Sequence, residues 1–349
     1  MTHTDEGASI AGQVQARAQG CLLGQLAGDS LGGLVEFRGR AEIRAAYPTG
    51  MRLLAAGGTH GTLAGQPTDD SEMALALARS IVCVGRFDPG DVAVAYARWL
   101  ESGPFDFGRA TNAALRPAVA ALGSGKSPAE VAAVARASAL QDTQANGALM
   151  RVSPLGIFAH ALPASAAADL ARQDARLTHP HEVCRDASAA LVVAIAHAVA
   201  TGSDPAETHA FTMDWVATSA DAPFAGPVRE CLEAAVSRPP GDYEESRGWV
   251  LIALGNAFWQ LLHARSLEDA LSDTILAGGD TDTNAAICGA LLGAVHGVAA
   301  IPEQWREAIL RCEPEAGRPG VRRPRPREYW PNDALEVAAE LVRVGREWA

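Results

Sequence analysis

The chain of 349 residues carries 41 acidic against 29 basic side chains, a formal charge of −12, which argues against a general nucleic-acid-binding surface because that needs positive potential. Hydrophobic residues make up 48% but aromatics only 5%, so a core large enough for a substantial domain has to be built from Ala, Leu and Val, a composition that favours closely packed helices. Six scattered cysteines without a C-x-x-C pair suggest neither a zinc ribbon nor a dithiol redox motif. The polar start lacks a signal core, and the longest apolar run, 187–200, is broken by His197 and too short for a bilayer, so the expectation is a soluble cytoplasmic protein.

In chain order, residues 1–12 read as a frayed tail, followed by a helix over 13–33. That helix carries Gly20, Gly24, Gly28 and Gly32 at a strict four-residue spacing, which places them on one face. Each glycine costs about 1 kcal/mol of helix propensity relative to Ala, so close backbone packing against another helix is expected to offset the stripe. Asp29, Ser30 and Glu36 are polar interruptions of an otherwise apolar segment, and Asp29 also fits a buried acid that accepts local hydrogen bonds. An irregular loop over 48–67 ends in Thr68-Asp69-Asp70-Ser71-Glu72, which opens a helix from Met73 to Val84. Helices follow over 88–101, 107–122 and, behind Ser127, 128–140. The polar turn from Gln141 to Arg151 offers backbone N–H groups to an anion, with Arg151 adding charge, but on its own it is also an ordinary turn. Further helices are expected over 162–175, from His181 to about 201, and over 204–219, 227–237, 247–263 and 267–277.

Gly278-Gly279-Asp280-Thr281-Asp282-Thr283-Asn284 then packs two carboxylates and two hydroxyls into four residues, ahead of an apolar helix to Gly297. Helix capping needs one such residue, whereas clustered hard oxygen donors suit Mg²⁺, Mn²⁺ or Ca²⁺. A short helix over 302–312, an Arg- and Pro-rich surface loop over 314–331 and a helix over 332–348 opened by Asn332 complete one all-α domain, residues 13–349. The arginines of the loop are expected to be solvated or paired with surface acids.

Asp29, Glu36, Asp69, Asp70, Asp280 and Asp282 therefore lie in or beside apolar helices, and assembling them without counter-charge would be strongly unfavourable. Two divalent cations about 3.5–4 Å apart would resolve this, and the absence of His and Cys from the acidic stretches favours Mg²⁺ or Mn²⁺ over Zn²⁺.

These motifs, in this order, resemble the ADP-ribosylglycohydrolase family: Gly24-x-x-x-Gly28-Asp29-Ser30-x-Gly32 with Glu36-Phe37, then Thr68 to Ala74, Asn146 to Arg151 with Pro154, Thr178-His179, and Gly278 to Ile287. The resemblance covers about residues 20–302. It implies a compact orthogonal helical bundle with a central dimetal cleft and hydrolysis of the bond between C1″ of ADP-ribose and an acceptor. By correspondence, Glu36, Thr68, Asp69, Asp70, Asp280, Asp282 and Thr283 are expected at two Mg²⁺ or Mn²⁺ ions, with Glu36 the leading acid/base. Asn146, Gly147, Ala148, Arg151 and His179 are expected at the ADP-ribose phosphates or distal ribose, and Asp29 in a supporting role. The expected substrate is an ADP-ribosylated protein, with arginine ranked ahead of serine as acceptor because a carboxylate-lined cleft accepts a cation. One departure is Ser71 where the family usually has Thr. A catalytically inactive ADP-ribose-binding protein and a phosphatase using Asp280 and Asp282 are the rival readings. The phosphatase motif should follow a buried strand.

Overall fold

The computed structural model describes residues 3–218 and 226–349. Among the described residues there are sixteen α-helices and no strand. The first half comprises α1 (His3–Gly32), α2 (Arg40–Ala46), α3 (Asp69–Val84), α4 (Pro89–Glu101), α5 (Arg109–Gly123), α6 (Pro128–Ser138), α7 (Ser153–Phe158) and α8 (Ala164–Ala175). The second half comprises α9 (Glu182–Thr201), α10 (Pro205–Thr218), α11 (Gly226–Ala234), α12 (Val250–His263), α13 (Leu267–Leu276), α14 (Thr281–His296), α15 (Glu303–Leu310) and α16 (Ala334–Trp348). The expected end of α10 at Ser219 lies outside the described residues, as do Met1 and Thr2.

At the centre, α1 and α14 lie side by side. The glycine stripe is the reason they can: a Cβ added at Gly20, Gly24, Gly28 or Gly32 would overlap backbone atoms at Gly293, Gly289, Ala285 and Asp282 respectively. Gly289 and Gly293 return the contact, since a Cβ on either would overlap a carbonyl of α1. The two backbones therefore touch, and the seam ends at Asp282, so the same close packing positions the acidic end of α14.

Local signals explain many helix ends. Asp88 accepts from Gly90 and Asp91 N–H at the start of α4, and Ser127 with Glu130 forms a reciprocal capping box on α6. Helix α9 is long and apolar enough to cross a membrane by composition, but 83% of its apolar window is buried inside the protein.

Several expectations need correction. Helix α1 begins at His3, within the segment expected to be a frayed tail. Helix α2 was not anticipated. Asp333, not Asn332, precedes α16, and it makes no side-chain cap bond. The expected surface loop over 314–331 is anchored by buried residues in its second half: Arg325 is only 5% exposed and forms a two-bond pair with Glu72, at 2.8 Å each, while Tyr329 and Trp330 are also buried. Arg318 fits the expectation better, pairing with Glu313 and Glu315 at the surface.

Candidate metal centre

The start of α3, the start of α14 and the turn after α1 meet in a cleft of about 360 Å³. A second hollow of about 410 Å³ between α11 and α12 has mainly apolar walls and, among the described residues, one lining carboxylate, Glu230, so the chemistry is sought in the smaller cleft.

Asp29 braces α3 from within α1. Its carboxylate accepts from Thr68 N at 3.0 Å, Ser71 N at 3.0 Å and Thr68 Oγ1 at 2.9 Å. This is the supporting role expected of it. It also satisfies orphan N–H groups at the helix start, a task that Thr68 itself does not perform. Thr68 Oγ1 lies 3.1 Å from Asp70 Oδ2, behind the cleft wall.

Glu36, Asp69, Asp70, Asp280, Asp282 and Thr283 all line the cleft. Burial raises the Asp69, Asp70 and Asp282 carboxyls well above the ordinary aspartate range, and charge repulsion among the neighbouring acids adds to it. Asp280 is raised by burial as well, but hydrogen bonding opposes the shift: Asn146 Nδ2 donates to Asp280 Oδ2 at 2.7 Å. Asp29 is pushed up to about 6 by burial. Two carboxylate oxygens in this cluster, Asp70 Oδ1 and Asp282 Oδ2, are buried without a hydrogen-bond partner. Orphaned anionic oxygens in a repelling cluster are the configuration that a hard divalent cation relieves, so the residues present fit such an ion.

The sequence reading missed two members of this cluster. Ligand-type atoms of Glu36, His60, Asp106 and Asp282 lie within 4.8 Å of one another. His60 Nε2 is 2.5 Å from Glu36 Oε2 and 3.6 Å from Asp106 Oδ2. The Glu36 hydrogen bond raises the His60 pKa, and burial opposes it. Asp106 is raised by burial and by the Glu36 charge. Both residues sit in loops of no motif, and the nearest signal was the pair of phenylalanines flanking Asp106.

On the opposite wall the chain makes a 3-10 turn, Asn146–Ala148. Asn146, Gly147 and His179, singled out in the sequence, line the cleft. A Cβ at Gly147 would press on the His179 ring and on Thr111 Oγ1, which explains glycine at that point. Burial and then the Arg151 charge hold the His179 pKa at about 3, so its ring is neutral at ordinary pH. Ala148 is fully buried beneath the turn and is not part of the wall.

Arg151 is a correction. It is 0% exposed, pairs with Asp174 at 3.1 Å, donates to the Gly147 carbonyl at 3.4 Å and lies over the Tyr96 ring. Its charge is spent on a buried acid, so it supports the turn from below and does not face the cleft. The cation that does line the cleft is Arg109, at the exposed first turn of α5, next to Gly108 and Thr111. A helix start with free N–H groups and an arginine is a stronger anion-binding signal than the one read at Arg151. The phosphatase reading also falls here, because Asp280 follows α13 and a glycine turn, with no strand before it.

Comparison with known proteins identifies the family. Residues 11–345 match the sequence model of the ADP-ribosylglycohydrolase family. The ADP-ribosyl-dinitrogen reductase glycohydrolase of Rhodospirillum rubrum is 29% identical over 314 residues, covering 87% of this chain and 94% of that protein. The ADP-ribosylarginine hydrolase Tri1 of Pseudomonas putida is 29% identical over 318 residues, covering 85% and 75%. The human ADP-ribosylhydrolase ARH3 is 26% identical over 337 residues, covering 85% and 89%. Among solved structures, an ADP-ribosylglycohydrolase-related protein complex superposes with a TM-score of 0.73 at 27% identity, covering 95% of this chain and 99% of that one.

Proposed function

Since the chain belongs to the ADP-ribosylglycohydrolase family, whose relatives are glycosidic-bond hydrolases, we propose that it releases ADP-ribose from modified arginine side chains of proteins, with two Mg²⁺ or Mn²⁺ ions in the acidic cleft. The observation that carries the metal part is the buried cluster of Asp69, Asp70, Asp280 and Asp282 with two unpartnered carboxylate oxygens. Asp69, Asp70, Asp280 and Asp282 would hold the divalent cations, which would offset the carboxylate charge and supply Lewis-acid sites for substrate hydroxyls.

The protein's own groups divide the remaining work. Asn146, Gly147, neutral His179 and Arg109 with the start of α5 receive the diphosphate and distal ribose. Glu36 takes the proton from the attacking water as the C1″–N bond loosens, and that proton passes to the departing guanidine. The acceptor side supports arginine over serine: Asp106 shares the cleft wall with the exposed Phe37 and Phe107 rings, and a guanidinium suits both a carboxylate and an aromatic face.

The test is ADP-ribose release from arginine-linked and serine-linked peptides, with divalent cation and after chelation. Release that requires the cation and is faster from arginine is expected, and Asp280→Ala abolishes it. Faster serine release overturns the acceptor assignment, and turnover by Asp280→Ala overturns the metal reading.

A further inference from the structure

Glu36 stands just beyond the end of α1, in a turn whose next residue, Phe37, has a φ of +65°. That left-handed conformation is disfavoured for a bulky side chain, so this stretch of backbone is held by its surroundings. A glutamate has three rotatable side-chain bonds, and Glu36 lies beside Asp106 and Asp282, both acids that would repel it. Left alone, its carboxylate has every reason to turn away from the cleft.

The restraint comes from the loop over 57–62. Its ends pair across Gly57 and Thr62, and Thr59 Oγ1 donates to the Glu36 carbonyl at 2.7 Å. His60, at the tip, directs Nε2 to the Glu36 carboxylate at 2.5 Å, with its ring 5.4 Å from the Phe105 centroid and 6.2 Å from that of Phe37. The loop is in turn tied to the segment over 314–331, a strap ahead of α16: Arg323 Nε donates to the His60 carbonyl at 2.9 Å, and the Arg323 carbonyl accepts from Gln66.

We propose that His60 is a positioning residue for the reaction, holding the Glu36 carboxylate over the cleft by an Nε2–H bond, with the strap at Arg323 as the frame that keeps His60 in place. The proposal rests on the reading of Glu36 as the group that takes the proton from water. An imidazole packed beside two rings and tied through its backbone carbonyl to Arg323 has restricted freedom, so it transfers rigidity to a flexible carboxylate in the way that catalytic geometry requires.

The experiment compares wild type, His60→Ala, His60→Gln and His60→Asn. ADP-ribose release gives kcat and KM, and calorimetry gives the Kd of ADP-ribose with Mg²⁺. His60→Ala is expected to lower kcat by roughly ten- to a hundredfold, with KM and Kd within about twofold, because misplacing a reacting group acts on the chemical step. Gln places an N–H near the Nε2 position and restores most of kcat, whereas Asn, which reaches only the Nδ1 position, does not. Unchanged kcat in His60→Ala, or equal failure of Gln and Asn, overturns the proposal.

If wild type releases no ADP-ribose from any conjugate, the functional reading fails instead. The latch is then judged by thermal melting of His60→Gln, His60→Ala, Glu36→Gln and the His60→Ala/Glu36→Gln double variant. Losses from His60→Ala and Glu36→Gln that fall short of adding, with His60→Gln close to wild type, uphold the contact, and fully additive losses overturn it.

Discussion

Two arginines separate structure from binding at the scale of single residues. Arg151 sits in a family motif but is enclosed by Asp174, Tyr96 and the Gly147 carbonyl, whereas Arg109 belongs to no motif and lines the cleft. Arg151→Met leaves Asp174 as a buried charge that keeps only the Tyr96 hydroxyl among its side-chain partners, and is expected to destabilise the fold by about 3–5 kcal/mol in urea denaturation. Arg109→Ala is expected to leave stability within about 0.5 kcal/mol and to weaken ADP-ribose binding roughly tenfold by calorimetry, the loss of one charge-assisted contact. A reversed pattern would return Arg151 to the binding wall.

Helix packing turns composition into site geometry at the scale of elements. The α1–α14 seam depends on glycine because the clashing atoms are backbone, which cannot rotate away. Gly24→Ala is expected to cost roughly 1–3 kcal/mol or more, read by chemical denaturation. Gly32→Ala pushes on Asp282 and Thr281 backbone atoms at the cleft end of the seam, so it should also weaken Mg²⁺ binding measured by calorimetry, which Gly24→Ala should do far less. The strap provides a second element-scale device. Arg325 answers Glu72, which burial would otherwise leave as an uncompensated charge beside the Trp99 indole N–H. Arg325→Ala is expected to destabilise by about 3–5 kcal/mol, because a broken buried pair costs more than an absent one.

The acidic cleft links stability of the whole molecule to protons and cations. Asp69, Asp70, Asp280 and Asp282 have folded-state pKa values above the ordinary 3.8, so in chelated protein the folded state binds protons more tightly than the unfolded one. That contribution is complete below 3.8 and is lost as pH rises through the raised values. Bound Mg²⁺ instead requires the ionised carboxylates. The melting temperature of loaded protein should therefore exceed that of chelated protein most at about pH 7.5, and the gap should narrow as pH falls to about 5. Comparing the two states cancels the buried histidines, whose lowered pKa values destabilise both on acidification. A gap that is constant with pH would mean that the acids are not the ligands.

The amino-acid sequence by itself determined the all-α class, the glycine stripe and its need for a partner helix, and the acids that line the cleft, because each is carried by short local patterns: fourfold spacing, capping residues, and hydroxyl-acid-acid runs at helix starts. It also singled out Asn146, Gly147 and His179, which the structure puts on the cleft wall. Only the tertiary structure decided which helix answers the stripe, that Arg151 and Arg325 are buried partners of acids more than twenty residues away, and that His60, Asp106 and Arg109 enter the site. Those residues lie in loops or on an exposed helix turn, where no periodicity marks a side chain's direction. Their roles arise from contacts between segments distant in the chain, and such contacts exist only once the helices have packed.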